Sequence, residues 1–220
     1  MKKNNFVLWA IIAIVIIGSI FGVIKMASKS QVSDSGSNIS ALTISAINAD
    51  ENIKGDKEAK ATLIEYSDFQ CPACASYYPI LKKVSEDMGN QVRFAYRHFP
   101  LPQHKNAKIA ATVAEAAGKQ GKFWEMHDLI FQNQSDWSEE KNAAVIFAKY
   151  AQDLQLDLAK FQTDIASEEI KAKIENDYKS GVKAGVNSTP SFFLNGKKLD
   201  NPRNYDEFKN AILQALGQSN

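Results

Sequence analysis

Both cysteines of the chain sit in one motif, Cys71-Pro72-Ala73-Cys74. They follow an apolar-rich segment, Ala61 to Gln70, and open a segment with helical composition that runs to Met88 before Gly89-Asn90. Strand, then Cys-x-x-Cys at a helix start, is the arrangement that supports thiol–disulfide exchange. With no third cysteine, the pair can bond to itself, to a metal or to another molecule's thiol. A bond across two residues closes almost no loop and stabilises little by loop entropy, so chemistry explains the pair better than structure does. Cys71, at the first turn, faces unpaired N–H groups and the positive dipole end, which favour a thiolate and make it the nucleophile. Cys74 lies one turn further in, placed to attack a mixed disulfide at Cys71. Pro72 and Ala73 set how stable that thiolate is. Glu65 stands in the apolar strand, where burial would raise its pKa. Two cysteines and two of His98, His104 and His127 could in principle hold zinc, although the Cys74-to-His98 spacing is longer than in common zinc fingers.

The elements that must position these groups follow from pattern. Gln91 to Phe99 alternates Val92, Phe94 and Tyr96 on one face with Arg93, Ala95 and Arg97 on the other, so it is predicted as a strand. Strand, helix, strand implies a right-handed parallel crossover. Helical patterns fill residues 104–181: an Ala-rich helix from Ala107 to Ala117 stopping at Gly118, one from Phe123 to Gln132, and one capped by Ser138 and running to Leu154. Asp157 to Ala166 and Ser167 to Lys183 complete the block. The aromatics Phe123, Trp124, Phe131 and Trp137 have helical spacing and read as core. Pro190 to Leu194, the turn Asn195-Gly196 and Lys197 to Leu199 read as a hairpin. Asn204 to Glu207 reads as a capping box opening a helix to about Leu216.

Location is read from the N-terminus. Lys2 and Lys3 precede an uncharged run from Phe6 to Ile24, long enough to cross a hydrocarbon core of ~30 Å. Ala27 and Lys25 make a poor cleavage site, so residues 1–29 are predicted to be an uncleaved signal anchor with its N-terminus in the cytoplasm. Residues 30–52 are a leader that begins Ser-rich, with linker composition. About 180 residues remain, enough for one substantial core. The net charge of the chain is +1, and setting aside the four anchor-region lysines leaves a mildly acidic domain, which argues against nucleic-acid binding.

Taken together, Phe69-x-Cys71-Pro72-x-Cys74, Tyr96-Arg97-His98-Phe99-Pro100-Leu101, Gly121-x-Phe123-Trp124 and Gly185-Val186-x-x-Thr189-Pro190-Ser191-Phe192 resemble the DsbA-like thiol–disulfide oxidoreductases, most closely the membrane-anchored BdbD type. The resemblance spans about residues 53–216. It implies an α/β chain with a thioredoxin-like fold, built from residues 53–103 plus 182–220, an inserted all-helical domain at 104–181, and the anchor helix in front. It implies that Pro190 is cis beside the active-site disulfide, that Pro79 bends the active-site helix, and that Glu65 relays a proton to Cys74 through water. Thr189 would offer backbone to a bound substrate strand. The catalytic set so predicted is Cys71, Cys74, Pro72, Ala73, Glu65, Thr189 and Pro190, with no metal and no cofactor beyond the Cys71–Cys74 disulfide. Strongly oxidising members often carry His where this chain has Ala73, which predicts a milder oxidant. Oxidases often have Val at the position of Thr189 and isomerases Thr, so isomerase activity stays open. The implied protein is a monomeric single-pass protein of the bacterial cell membrane, its catalytic domain extracytoplasmic. By the same resemblance it acts on folding secreted proteins and is recycled by a membrane partner, a quinone-linked oxidase. A reductase or isomerase of the same fold, or a peptide- or metal-binding module without turnover, are the alternatives.

Overall fold

Five strands form a mixed sheet in the order β1-β3-β2-β4-β5 in a computed structural model that describes Ile47 and residues 51–218. The strands are β1 (Asn52–Lys54), β2 (Ala61–Ser67), β3 (Val92–His98), β4 (Ser191–Leu194) and β5 (Lys197–Lys198). The helices are α1 (Pro72–Met88), α2 (Ala107–Gly118), α3 (Phe123–Gln132), α4 (Gln134–Trp137), α5 (Ala143–Asp153), α6 (Leu158–Ile165), α7 (Glu168–Lys183) and α8 (Tyr205–Ala215). Central β2 runs parallel to β3, with Glu65 opposite Tyr96, and antiparallel to β4, with Glu65 opposite Phe192. The predicted anchor lies outside the described residues, as does most of the predicted leader. Among the described residues no helix is long and apolar enough to cross a membrane.

Both sheet faces are covered, and this changes the reading of β3. Its alternation is real, but the second face is not solvated: Ala95 and Arg97 are as buried as Phe94 and Tyr96. On one face Leu63, Phe94 and Phe192 pack against Leu81 and Val84 of α1 and Phe208 and Ile212 of α8. Each such side chain contributes roughly 1.5–3 kcal/mol when fully buried. On the other face Ile64, Tyr66, Ala95 and Phe193 meet Phe99, Ala184 and Tyr178. The last turns of α7 come so close there that a Cβ on Gly181 would lie 2.7 Å from the Phe99 ring and 2.9 Å from the Tyr66 ring. Arg97 enters this face as an ion: its guanidinium lies 2.6 Å from Glu51 and 2.9 Å from the Tyr66 hydroxyl, all three groups out of water.

Helices α2 to α7 lie between β3 and β4 in sequence. They share an apolar core of Phe123, Met126, Ile130, Trp137 and Phe147 that continues into Phe69 and the two cysteines. One predicted helix start is corrected. Ser138 does not cap a helix to Leu154; α5 begins at Ala143, with Asn142 at its N-cap. The intervening carbonyls are taken by side chains instead: Asn106 Nδ2 donates to Trp137, Ser138 and Glu140, and Gln70 Nε2 to Ser138. Those bonds leave the 138–142 backbone tied to the active-site loop and not wound into α5.

The sheet ends are short. β1, which the sequence pattern did not reveal, has three residues, and its Ile53 carbonyl accepts from Trp124 Nε1 at 3.1 Å. β5 has two, both exposed lysines, after the hairpin turn in which Asn195 and Gly196 take φ of 48° and 81°. At α8 the predicted cap is present, with Asn204 Oδ1 accepting from Glu207 N at 3.0 Å and Glu207 bonding back to Arg203 N at 2.8 Å.

Candidate active site

The site sits where β2 ends and α1 begins. Asp68 shapes the turn: its Oδ1 accepts from Gln70 N, and its Oδ2 from Leu101 N and His104 Nδ1, each at 2.7 Å. The Asp68 carbonyl accepts from Cys71 N at 3.0 Å. Cys71 becomes the N-cap of α1, one position before its predicted place in the first turn, and Pro72 supplies the first helical residue, where its missing N–H does no harm. Pro72 and Ala73 are exposed, while Cys71 and Cys74 are 7% and 1% exposed. Both are free thiols here. Pro79 lies inside α1, three residues beyond Ser76, whose hydroxyl donates to the Pro72 carbonyl.

From the far end of the chain, β4 brings up the segment 188–190. The Thr189–Pro190 peptide is cis. The Cys71 thiol donates to the Thr189 carbonyl at 3.4 Å, and Asn201 Nδ2 donates to the Pro190 carbonyl at 2.9 Å. The buried Thr189 hydroxyl makes no hydrogen bond of good geometry but lies close enough to the Cys71 sulfur to favour its thiolate. Residues 118 apart in sequence thus meet at one sulfur.

The two thiols differ sharply. The Cys71 thiol is pulled down to about 5, chiefly because the Cys74 thiol donates to its sulfur; the Thr189 hydroxyl and the N–H groups of Cys74 and Ala73 add to this against the opposing effect of burial. Burial and the Cys71 charge hold the Cys74 thiol well above the usual range. Glu65, 2% exposed, sits beneath Cys74 on the sheet face shared with Ser67 and Tyr96. Burial pushes its carboxyl up to about 8, with only the Ser67 hydroxyl opposing, so it is a neutral acid at pH 7. A crevice of about 10 Å³ runs past Glu65, Cys74, Tyr78, His127, Asp128 and Lys54, room for about one water.

The structure therefore brings together all seven predicted residues. The histidines lie near the site but pair with carboxylates: His98 bonds Glu115 at 2.8 Å, His104 bonds Asp68 and His127 bonds Asp128 at 2.9 Å. Burial lowers the pKa of His127. Among the described residues no cluster of His, Cys, Asp and Glu could hold a metal ion. Asp68 escaped the sequence reading, although an Asp ahead of a tight turn is a usable signal. Gln70, Gln134 and Asn106 carried no such signal.

The thioredoxin family model matches residues 48–214, which takes in every strand and helix described above except the end of α8. The chain belongs to the thioredoxin family. Its fold is that of oxidised BdbD from Bacillus subtilis (TM-score 0.68, 24% identity, 76% of this chain and 94% of that one). It is equally like a thioredoxin-like oxidoreductase from Silicibacter pomeroyi (TM-score 0.68, 24% identity, 77% and 94%). Wolbachia pipientis alpha-DsbA1 shares it too (TM-score 0.68, 23% identity, 78% and 94%). The fold is thus the DsbA-type thioredoxin fold. A different relative, Na(+)/H(+) antiporter NhaA 3 of Salinispora tropica, is 35% identical over 170 residues, 77% of this chain but 25% of the antiporter. The chain spans about a quarter of the length of the curated relatives it matches. Three quarters of that antiporter lies outside the match, and its transport activity stays with it.

Proposed function

We propose that this thioredoxin-family chain is a thiol:disulfide oxidoreductase that passes a Cys71–Cys74 disulfide to folding proteins. One observation carries the reading: the thiol at the N-cap of α1 is pulled down to about 5, and the deeper one is pushed well above its usual range. A substrate thiolate attacks Cys71 Sγ, the intramolecular S–S bond breaks, and Cys74 leaves with the electron pair. Glu65, protonated at pH 7, is placed to supply the proton Cys74 needs, through one water in the crevice. A second substrate thiolate attacks the substrate sulfur of the mixed disulfide, and Cys71 leaves as a stable thiolate that needs no proton. Two substrate thiols are oxidised and the Cys71/Cys74 pair is reduced. The Thr189 backbone, beside Pro190, offers a main-chain edge to the substrate, a sequence-tolerant way of holding an unfolded chain.

In this reading residues 1–29 anchor the chain in the bacterial cell membrane, the catalytic domain works extracytoplasmically, and a quinone-linked membrane oxidase takes up the two electrons. Residues 53–103 with 182–220 form the thioredoxin-like part and 104–181 the insertion.

Direction is tested with the full chain and a reduced, unfolded secreted protein. Oxidation of that substrate by the pre-oxidised chain is the expected result; a Cys74→Ala variant whose Cys71 has first been charged as a glutathione mixed disulfide should release glutathione and accumulate the Cys71–substrate mixed disulfide. Faster reduction of a disulfide substrate than oxidation of a dithiol would reassign it as a reductase. Exchange in neither direction would leave a peptide-binding module.

A further inference from the structure

Gln134, the first residue of α4, reaches from the helical insertion to the backbone of the active-site turn. Its single amide nitrogen lies 2.7 Å from the Phe69 carbonyl and 3.0 Å from the Cys71 carbonyl. One N–H is directed to each oxygen, so the amide bridges the two ends of the turn that presents the nucleophile. The Cys71 carbonyl is also the first acceptor of α1, taking Ala75 N at 3.2 Å. Residue 72 is proline, so the Cys71–Pro72 peptide has no N–H by which it could be held. Its carbonyl is the only handle, and Gln134 grips it.

The grip is stiff. Trp137 of α4 is fully buried and donates its indole N–H to the Ile130 carbonyl at 2.9 Å. Gln70 Nε2 donates to the Ser138 carbonyl at 2.6 Å. The C-terminal end of α4 is therefore fixed both to the insertion core and to the active-site turn. An amide neither gives nor takes protons near neutral pH and does not touch the sulfur. What it can do is fix the tilt of the Cys71–Pro72 peptide, and with it the line from Cys71 Cα to the groups that stabilise the thiolate.

Resting on the exchange activity proposed above, we infer that Gln134 is a positioning residue for Cys71: by holding the Cys71 carbonyl it keeps the sulfur aligned with the Cys74 thiol and the α1 N–H groups, and so sets how readily the disulfide is given up. Through α4 the insertion becomes part of the redox site and not a cover over it.

The test compares the full-length chain with Gln134→Met, which keeps volume but loses both donors, and Gln134→Glu, which sets oxygens against oxygens. Two quantities are read: the pH midpoint of the Cys71 thiolate absorbance, and the equilibrium constant with glutathione at pH 7. Gln134→Met is expected to raise the midpoint by about half a unit, which moves the constant about threefold toward oxidised protein. Gln134→Glu is expected to exceed that shift. Gln134→Asn, with a donor of shorter reach, should fall between wild type and Gln134→Met, and it covers the case in which the Met variant does not fold. Wild-type values in both Met and Glu variants would overturn the assignment, as would a loss of melting temperature with no change in midpoint. The midpoint needs no turnover, so it decides the role of Gln134 even if wild type fails to exchange with glutathione, a failure that would sink the proposed activity instead.

Discussion

The acidity of Cys71 fixes a range for the reduction potential. A thiol at about 5 is two decades into its ionised range at pH 7. Compared with a thiol at 9.0, that favours the reduced protein about 100-fold, or ~2.7 kcal/mol. Thioredoxin, with a thiol near ~7, lies at ~ −270 mV. Moving from ~7 to ~5 stabilises the dithiol about 50-fold, and at ~30 mV per decade the couple rises by ~50 mV, to about −220 mV. Pro72 and Ala73 beside the sulfur are solvent-exposed, and screening there trims the gain. A couple at about −220 mV still lies well above the ~ −300 mV of structural disulfides, so it can donate to them. Two assays check this: thiolate absorbance of reduced minus oxidised protein against pH, and equilibration with glutathione. A midpoint above pH 7, or a potential at or below ~ −270 mV, would refute the reasoning. The same shift sets a stability trend. Because the folded pKa is depressed, its contribution is full above the unfolded value and is lost as pH falls through about 5. The reduced chain should therefore lose ~1–2 kcal/mol relative to the oxidised chain between pH 7 and pH 4, after allowance for screening.

Ala73 gives the thiolate no charged partner, so Ala73→His should raise the potential; an unchanged glutathione equilibrium would sink that idea. Glu65 has the opposite linkage: its raised pKa favours folding below about 4.5 and weighs against it as pH rises toward 8, so Glu65→Gln should gain on wild type by on the order of 3 kcal/mol between pH 5 and pH 8. That variant should also slow release of Cys74 in stopped-flow exchange, and a wild-type rate would remove Glu65 from the proton path. Gly181→Ala drives a methyl against two buried rings and should lower stability by ~1–3 kcal/mol in urea titration; a neutral result would mean that α7 can slide outward on the sheet.

The candidate site was legible because it is concentrated. Two cysteines at helix-turn spacing, a strand before them and Thr189-Pro190 far downstream are local patterns, and the fold brings these distant patterns to one sulfur. Strand β3 was legible as a strand but not as a buried one, since Arg97 looks solvated until Glu51 is found beside it. The start of α5 was missed for a related reason. Ser138 followed by two acids is a sound local cap, but Asn106 and Gln70 compete for the same backbone from more than thirty residues away. Amide side chains such as Gln134 carry no charge, period or motif, so their roles emerge only from tertiary placement.

An open sheet edge is an invitation for any extended chain to stick, and a protein acting on unfolded chains, as proposed here, would meet such chains continually. Here both invitations are withdrawn. One border strand is three residues long with its middle carbonyl occupied by Trp124, and the other is a pair of lysines. On the proposed function, a substrate strand would find little to zip onto at the margins, and its main chain would be left to the short stretch before Pro190, beside the Cys71 sulfur.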